Sequence, residues 1–168
     1  RAAVESLPEI RQVLEEAGTK MLFITAGMGG GTGTGASPVI AKLAKEMGLL
    51  TVAIVTSPLA VEGKIRYEQA FRGIEELSRN VDSLLVINNE NIVEMYGRLS
   101  LKQAFGKADD ILASAAKGIA EIITVESDLV NVDFADVSKV MRDSGRAHMS
   151  VATAEGEHRA AEVARASL

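Results

Sequence analysis

Cysteine is absent from the 168-residue sequence, which excludes a disulfide framework and is compatible with an intracellular setting. No apolar run reaches the roughly 18 residues that a transmembrane helix needs, so we expect no insertion into a membrane. The net charge is only −5 and no basic stripe occurs, which argues against nucleic acid as the main partner. The opening residues, RAAVESLPEIRQ, include neither an initiator methionine nor a signal peptide. We therefore expect that residues are missing upstream.

Three short apolar segments alternate with helical patterns, and 47% of all residues are hydrophobic, enough for a real core. These segments are MLFITA (Met21–Ala26), LTVAIVT (Leu50–Thr56) and SLLVIN (Ser83–Asn88). Because they are apolar nearly throughout, they are typical of parallel strands buried on both faces. Helices are predicted between them, over residues 38–47 and 63–78. The order strand, helix, strand predicts an α/β fold with a parallel sheet.

Two capping boxes mark predicted helix starts, Ser6 with Glu9 and Ser100 with Gln103. The second opens an alanine-rich helical pattern that continues to about Thr124, or roughly 36 Å of helix. A helix of that length and composition is predicted to be a buried spine against which other parts of the molecule pack.

The pattern changes after this helix, so we predict a domain boundary at residue 124. A first unit covers residues 1–124, and the start of a second, α+β unit covers residues 125–168. In the second unit we expect a loop and a helix, then a strand over 147–153, then a final helix from about residue 156.

A glycine-rich segment, GMGGGTGTGASPVIA (Gly27–Ala41), connects the first predicted strand to the next helix. Glycine allows close approach of a ligand to the backbone, and the free N–H groups of a helix N-terminus favour an anion such as phosphate. No lysine follows, so this is not a P-loop, and the spacing does not fit the dinucleotide fingerprint. A flexible turn is the alternative, but it would not need six glycines. The candidate binding residues are Gly30, Gly31, Thr32, Gly33, Thr34 and Gly35.

The motif GGGTGTG followed by ASPVIA resembles the signature of the tubulin/FtsZ superfamily of GTPases, in the form found in the bacterial division ring. The resemblance extends from about Ala2 to Leu168. It implies a partial doubly wound, Rossmann-like parallel sheet with a long central helix. Residues 1–124 would form the C-terminal half of the GTPase domain, and residues 125–168 the start of the activation domain.

The resemblance assigns nucleotide contacts to two further segments. In SPLAVEGKIR, Glu62 and Arg66 would bind the ribose and the nearby phosphate, although from spacing alone they are an i,i+4 surface pair. In VINNEN, Asn89 would contact the guanine base, with Asn88 as the other possibility. An amide offers both a donor and an acceptor to a purine edge. The alternative for the asparagine is a simple helix cap.

The segment AFGKADD supplies Phe105 and Asp109, which the resemblance assigns to stacking on guanine and to hydrogen bonding its N1–H and 2-amino groups. One helical turn separates the two residues, so they share a face. Adenine lacks both donors, and the carboxylate would then select GTP over ATP. A core phenylalanine beside a solvated aspartate is the alternative.

The segment NVDFADV (Asn131–Val137) matches an acidic loop that, in the family, enters the nucleotide pocket of the next subunit. Asp133 and Asp136 would position and polarise the attacking water, and Asn131 would help to hold the loop. Because carboxylates are repelled by a triphosphate, they would act through water or Mg²⁺. The alternative is an acidic N-cap of the following helix, and both roles are compatible.

The function implied by the resemblance is a cytoplasmic, GTP-hydrolysing cytoskeletal protein at the bacterial division site. It would form a head-to-tail homopolymer whose active sites are completed between subunits, and division-ring adaptors would be further partners. GTP and GDP would be its ligands, with Mg²⁺ held mainly by phosphate and water rather than by protein ligands. One alternative is a structural filament module that does not hydrolyse nucleotide. Another is an ordinary α/β enzyme, but the only histidines, His148 and His158, lie far from the glycine segment.

The sequence also departs from the family pattern. The strands that precede Met21 in the family and the end of its second domain have no counterpart here, so we expect an internal fragment. Loops near Gly97 and Ser127 are shorter than in the family. Without its neighbour, the strand MLFITA would present an unpaired apolar edge, which predicts self-association of the 168-residue chain.

Overall fold

A computed structural model describes residues 2–95, 100–125, 132–147 and 154–167. Its centre is a parallel sheet with the strand order β1-β2-β3-β4. The strands are β1 (Met21–Gly27), β2 (Leu50–Ser57), β3 (Ser83–Asn88) and β4 (Gly145–Arg146). The three predicted strands and the α/β class are confirmed.

Eight helices and a single 3₁₀ turn are found among the described residues. The helices are α1 (Ala2–Glu5), α2 (Leu7–Glu16), α3 (Gly31–Glu46), α4 (Lys64–Ser78), α5 (Asn89–Met95), α6 (Leu101–Thr124), α7 (Phe134–Met141) and α8 (Arg159–Ser167), and the 3₁₀ turn is Ala60–Glu62. No helix in these ranges is both long and apolar enough to cross a membrane.

Helices cover both faces of the sheet, and β2 shows this most clearly. Its Ala53 and Val55 join the core beneath α3 and α4, whereas Val52 and Ile54 pack against Ala115 and its neighbours on α6. Successive strand side chains point to opposite faces, so a strand buried on both sides must be apolar almost throughout. The continuous apolar run in the sequence therefore follows from the central position of β2.

The predicted start of the helix after β1 is wrong. We predicted residues 38–47, but α3 begins at Gly31, so most of the glycine-rich segment is helical and Pro38 lies inside the helix. Glycine disfavours a helix interior by about 1 kcal/mol, but tertiary packing overrides this preference here. Residues of the first three turns, such as Ser37 and Ala41, are buried against the sheet. The side chain of Ser37 also donates to the carbonyl of Gly33.

One of the two predicted capping boxes is confirmed. Ser100 caps α6, since its Oγ accepts from the Gln103 N–H (3.4 Å) and the Gln103 side chain accepts from the Ser100 N–H (2.9 Å). Ser6 makes no side-chain cap bond, so that box is wrong. Its φ of −90° and ψ of 2° lie outside the extended region an N-cap needs, because α1 ends at the preceding residue.

The chain returns to the sheet after α7. β4 pairs in parallel with the start of β3, with Gly145 opposite Ser83 and Arg146 opposite Leu84. The helices predicted on either side are found as α7 and α8. Of the strand predicted over 147–153, Ala147 is not in a strand and residues 148–153 lie outside the described residues. The domain boundary at residue 124 stays a prediction.

Candidate functional site

The segments that follow β1, β2 and β3 meet at the carboxyl edge of the sheet. β1 ends at Gly27 opposite Thr56 of β2, and β2 ends at Ser57 opposite Asn88 of β3. The Ser57 hydroxyl donates to Asn88 Oδ1 (3.3 Å), which ties the second and third segments together. In parallel α/β sheets, this edge is where ligands bind.

We call residues 28–35 the glycine elbow. The N–H of Met28 donates to the Thr56 carbonyl (2.9 Å), which extends the pairing of the first two strands. The N–H of Gly29 donates to Thr34 Oγ1 (2.8 Å), so the turn closes on the first turns of α3. One lone pair of Thr34 Oγ1 thus accepts a bond within the elbow, while the hydroxyl proton can still be donated to a ligand.

Two glycines of the elbow are required by the fold. Gly29 has a φ of +105°, a region that side chains other than glycine rarely adopt. A Cβ at Gly33 would overlap the carbonyl oxygen of Gly27, so α3 can approach β1 this closely only with glycine there. The backbone geometry and the packing therefore explain why these two positions are glycine, without reference to a ligand.

The other three glycines have no such reason. A Cβ on Gly30, Gly31 or Gly35 would meet nothing within 4 Å, and none of them has a left-handed φ. Gly30 is the N-cap of α3 and no side chain caps the helix. The first N–H groups of α3 therefore lie open at an exposed elbow, where an anion can accept from them.

Glu62 and Arg66 form the surface pair predicted from their spacing, with a distance of 2.8 Å between Arg66 Nη1 and Glu62 Oε2. The other oxygen of Glu62 accepts from the Leu59 N–H (2.9 Å). This carboxylate thus holds the turn between β2 and α4, and its contact with a ribose stays a prediction. Glu90 was not predicted as a site residue; its carboxylate accepts from the Ala60 N–H and links the same turn to α5.

The two asparagines after β3 have different surroundings. Asn88 Oδ1 accepts from the Glu90 N–H (3.0 Å), so the helix-cap alternative describes Asn88. Asn89 is 7% exposed, and its Oδ1 has no hydrogen-bond partner among the described residues. An unsatisfied buried acceptor costs about 1–3 kcal/mol. A ligand donor would remove this cost.

Phe105 and Asp109 lie one turn apart on the outward side of α6, whose Ala104 and Ala108 are buried. The phenylalanine ring is 38% exposed, so it is not a core residue. The neighbouring Asp110 pairs with Lys107 (3.2 Å), whereas Asp109 has no ion pair within the described ranges. An exposed ring and a carboxylate without an ion pair among the described residues thus share one face.

Asp133 and Asp136 cap α7 reciprocally. Asp133 Oδ1 accepts from the Asp136 N–H (2.9 Å), and Asp136 Oδ2 accepts from the Asp133 N–H (3.5 Å). The acidic N-cap alternative is therefore confirmed, and the second oxygen of each carboxylate has no hydrogen bond within the described residues. Asn131 lies outside the described residues. The segment after α7 is fastened to the start of β3, at the edge of the sheet opposite the glycine elbow.

In the ranges that the structure describes, no three carboxylate or imidazole side chains are grouped so that they could hold a metal ion. Many α/β proteins with a parallel sheet bind phosphate groups at a helix N-terminus that lies open at the carboxyl edge of the sheet, and this chain has that arrangement.

Comparison with known proteins identifies the family to which this α/β chain belongs. A family model described as the GTPase domain of the Tubulin/FtsZ family matches residues 1–97. The chain is 51% identical over 159 residues to the cell division protein FtsZ of Porphyromonas gingivalis, covering 95% of this chain and 35% of that protein. With FtsZ of Pseudomonas putida it is 50% identical over 169 residues, covering all of this chain and 42% of that one.

A solved structure, the empty FtsZ dimer of M. jannaschii, superposes with a TM-score of 0.90 at 44% identity, covering 99% of this chain and 48% of that chain. The chain thus spans well under half the length of the curated relatives named above. It belongs to the Tubulin/FtsZ family, and the resemblance of its motifs to that family is confirmed.

Proposed function

We propose that this chain is part of a GTP-binding, GTP-hydrolysing cytoskeletal protein that polymerises head to tail at the bacterial division site in the cytoplasm. Membership of the family supports the nucleotide, and relatives named cell division protein FtsZ support the process. A solved structure of an FtsZ dimer supports self-association. Adaptors of the division ring are further partners in this proposal.

Two features at the carboxyl edge of the sheet carry the proposal: the glycines at the open N-terminus of α3 and the buried oxygen of Asn89. A Cβ on Gly30, Gly31 or Gly35 would meet nothing within 4 Å, and the buried Oδ1 of Asn89 has no donor among the described residues. A nucleoside triphosphate can form hydrogen bonds with both features, because its phosphates accept from the open N–H groups of α3 and its base offers donors to the Asn89 amide oxygen. Glu62 and Arg66, on the neighbouring turn, are proposed to contact the ribose and a phosphate.

Selection of guanine is proposed to depend on Phe105 and Asp109. The exposed ring offers a stacking face, and the carboxylate has no competing ion pair within the described ranges. Guanine donates through its N1–H and 2-amino groups, whereas adenine would leave the carboxylate without a donor. Discrimination of this kind reaches several orders of magnitude when a site is built for a hydrogen bond.

Equilibrium binding of labelled GTP and ATP to the full-length protein carrying this sequence tests the assignment. Asp109→Asn should weaken GTP binding by about 10- to 100-fold, since a hydrogen bond to a charged group contributes about 1.5–3 kcal/mol. The matched control is Asp110→Asn, which removes the adjacent carboxylate and should leave GTP affinity unchanged. Equal affinity for GTP and ATP in the unaltered protein would contradict the proposed specificity.

Hydrolysis is proposed to use Asp133 and Asp136 of one subunit on the GTP of its neighbour, with Asn131 holding the loop. The segment after α7 pairs with the start of β3, at the edge of the sheet opposite the elbow. This position supports action of the acids on the nucleotide of a second subunit. The second oxygen of each carboxylate, which accepts no hydrogen bond within the described residues, can order the attacking water. Mg²⁺, held by phosphate and water, would neutralise charge on the triphosphate.

A mixing experiment tests action between subunits. The double variant Asp133→Asn, Asp136→Asn keeps side chains that can cap α7 but removes both charges, so it should bind GTP and turn it over slowly. Mixed with the Asp109→Asn variant, which binds GTP poorly but keeps its acids, it should recover turnover. Glu157→Gln, an exposed acid further along the same part of the chain, serves as the control.

A mixture that shows only the average of the two separate rates would indicate action within one chain. Unchanged turnover in the double variant alone would favour a filament module in which these acids serve only as a helix cap.

A further inference from the structure

Asp82 is a buried acid for which the proposed chemistry has no use. It lies immediately before β3, its side chain is 3% exposed, and no cation pairs with it among the described residues. A buried carboxylate is costly unless hydrogen bonds satisfy it. The contacts of Asp82 should therefore indicate what the residue is for.

Those contacts join three parts of the chain. One carboxylate oxygen accepts from the Thr51 N–H at the start of β2 (2.9 Å), and the other accepts from the Asp143 N–H after α7 (3.2 Å). The backbone carbonyl of Asp82 accepts from the Gly145 N–H (2.9 Å) and from the Ser144 hydroxyl (3.3 Å). We call this set of bonds the Asp82 clamp.

The clamp reaches α7 through a short and fixed connection. α7 ends at Met141, and Asp143 follows with a φ of +51°, a left-handed conformation that only a well-determined backbone keeps in a residue other than glycine. On the surface, Lys45 of α3 also pairs with Asp143 (3.7 Å). Any shift at Asp143 is thus transmitted to α7, a rigid helix about 12 Å long that starts at the acidic cap.

We infer that Asp82 is a positioning residue, which fixes the Asp133–Asp136 cap relative to the sheet that carries the glycine elbow. The inference rests on the proposed function of that cap in hydrolysis. Asp82 itself touches no nucleotide, since it lies at the start of β3 and the elbow lies at the opposite edge of the sheet.

The test uses the full-length protein with Asp82→Asn, which keeps the shape of the side chain. The amide has one acceptor oxygen in place of two, so one of the two N–H groups must lose its partner. A displacement of about 1 Å at a reacting group can cost on the order of 100-fold in rate. We therefore expect kcat for GTP to fall roughly tenfold or more, with GTP affinity unchanged.

Position is measured independently with spin labels on cysteines introduced at Lys139 of α7 and Arg72 of α4, both exposed. This chain has no cysteine of its own, which simplifies labelling. Asp82→Asn should shift or broaden the distance distribution, and the control Asp110→Asn should not. Since this readout needs no nucleotide, it tests the clamp even if the proposed GTPase function fails.

An unchanged distance distribution with unchanged turnover would overturn the inference. A changed distribution with normal turnover would also overturn it, because the clamp would then be structural only. If Asp82→Asn does not fold, Ser144→Ala removes a single outer bond and should give a smaller change in the same direction. No change in the distances or the turnover of that variant would count against the clamp.

Discussion

The glycines of the elbow differ in what surrounds them, although the sequence shows them as one run. Gly33 faces the carbonyl of Gly27, while Gly35, two residues later on α3, faces open space. The run predicted an anion-binding backbone, and it could not separate the glycines that allow packing from those that leave room for a ligand. The distinction between the two kinds of glycine depends on which positions of α3 face β1 in the folded structure.

These surroundings predict opposite effects of two similar substitutions. Gly33→Ala should lower the free energy of unfolding by about 1–3 kcal/mol, because its Cβ meets backbone that cannot move aside. Gly35→Ala should raise it by about 0.5–1 kcal/mol, because alanine favours a helix and nothing obstructs it. Denaturant unfolding of the full-length protein without nucleotide measures both. Equal stability of the two variants would contradict this account of the elbow.

Asn88 and Asn89 also required the structure to tell them apart. Both follow β3, both can cap a helix, and both can recognise a purine. Only the fold places the oxygen of Asn88 beside a neighbouring N–H and buries the oxygen of Asn89 without a donor among the described residues. The preference for Asn89 came from the family resemblance, and burial now supports it.

At the scale of elements, the helix boundaries were predictable where local signals decide them. The box of Ser100 and Gln103 fixed the start of α6, because side chains three residues apart satisfy N–H groups of the first turn. The start of α3 was mistaken because its first two turns are poor helix formers, and burial against the sheet stabilises them. Local propensity carries no information about that burial.

The reciprocal cap of α7 predicts a stability effect separate from any catalytic one. Asp133→Ala should destabilise the first turn of α7 by about 1 kcal/mol, whereas Asp133→Asn should cost much less, since asparagine also caps well. Hydrogen exchange of the α7 amides measures the difference. Equal protection of those amides in the two variants would show that the cap contributes little.

At the scale of the whole molecule, β1 is an edge strand with no partner on its outer side within the described residues. Unpaired N–H and C=O groups along an apolar strand favour pairing with another chain. The isolated 168-residue chain should therefore self-associate at micromolar concentration, as measured by light scattering. Thr25→Lys, at an exposed position in β1, should reduce the association. A clean monomer of the unaltered chain would contradict the prediction.

The sequence by itself determined the three long strands, the long helix and the family, because strands buried on both faces need unbroken apolar runs and the glycine motif is specific. Only the tertiary structure decided that α3 begins inside the glycine run, which asparagine has a buried oxygen unpaired among the described residues, and that Asp82 joins β2, β3 and the end of α7. These outcomes depend on contacts between residues far apart in the sequence, such as Asp82 and Asp143, which are 61 positions apart. Such contacts form only when the sheet and helices assemble, so no local pattern contains them.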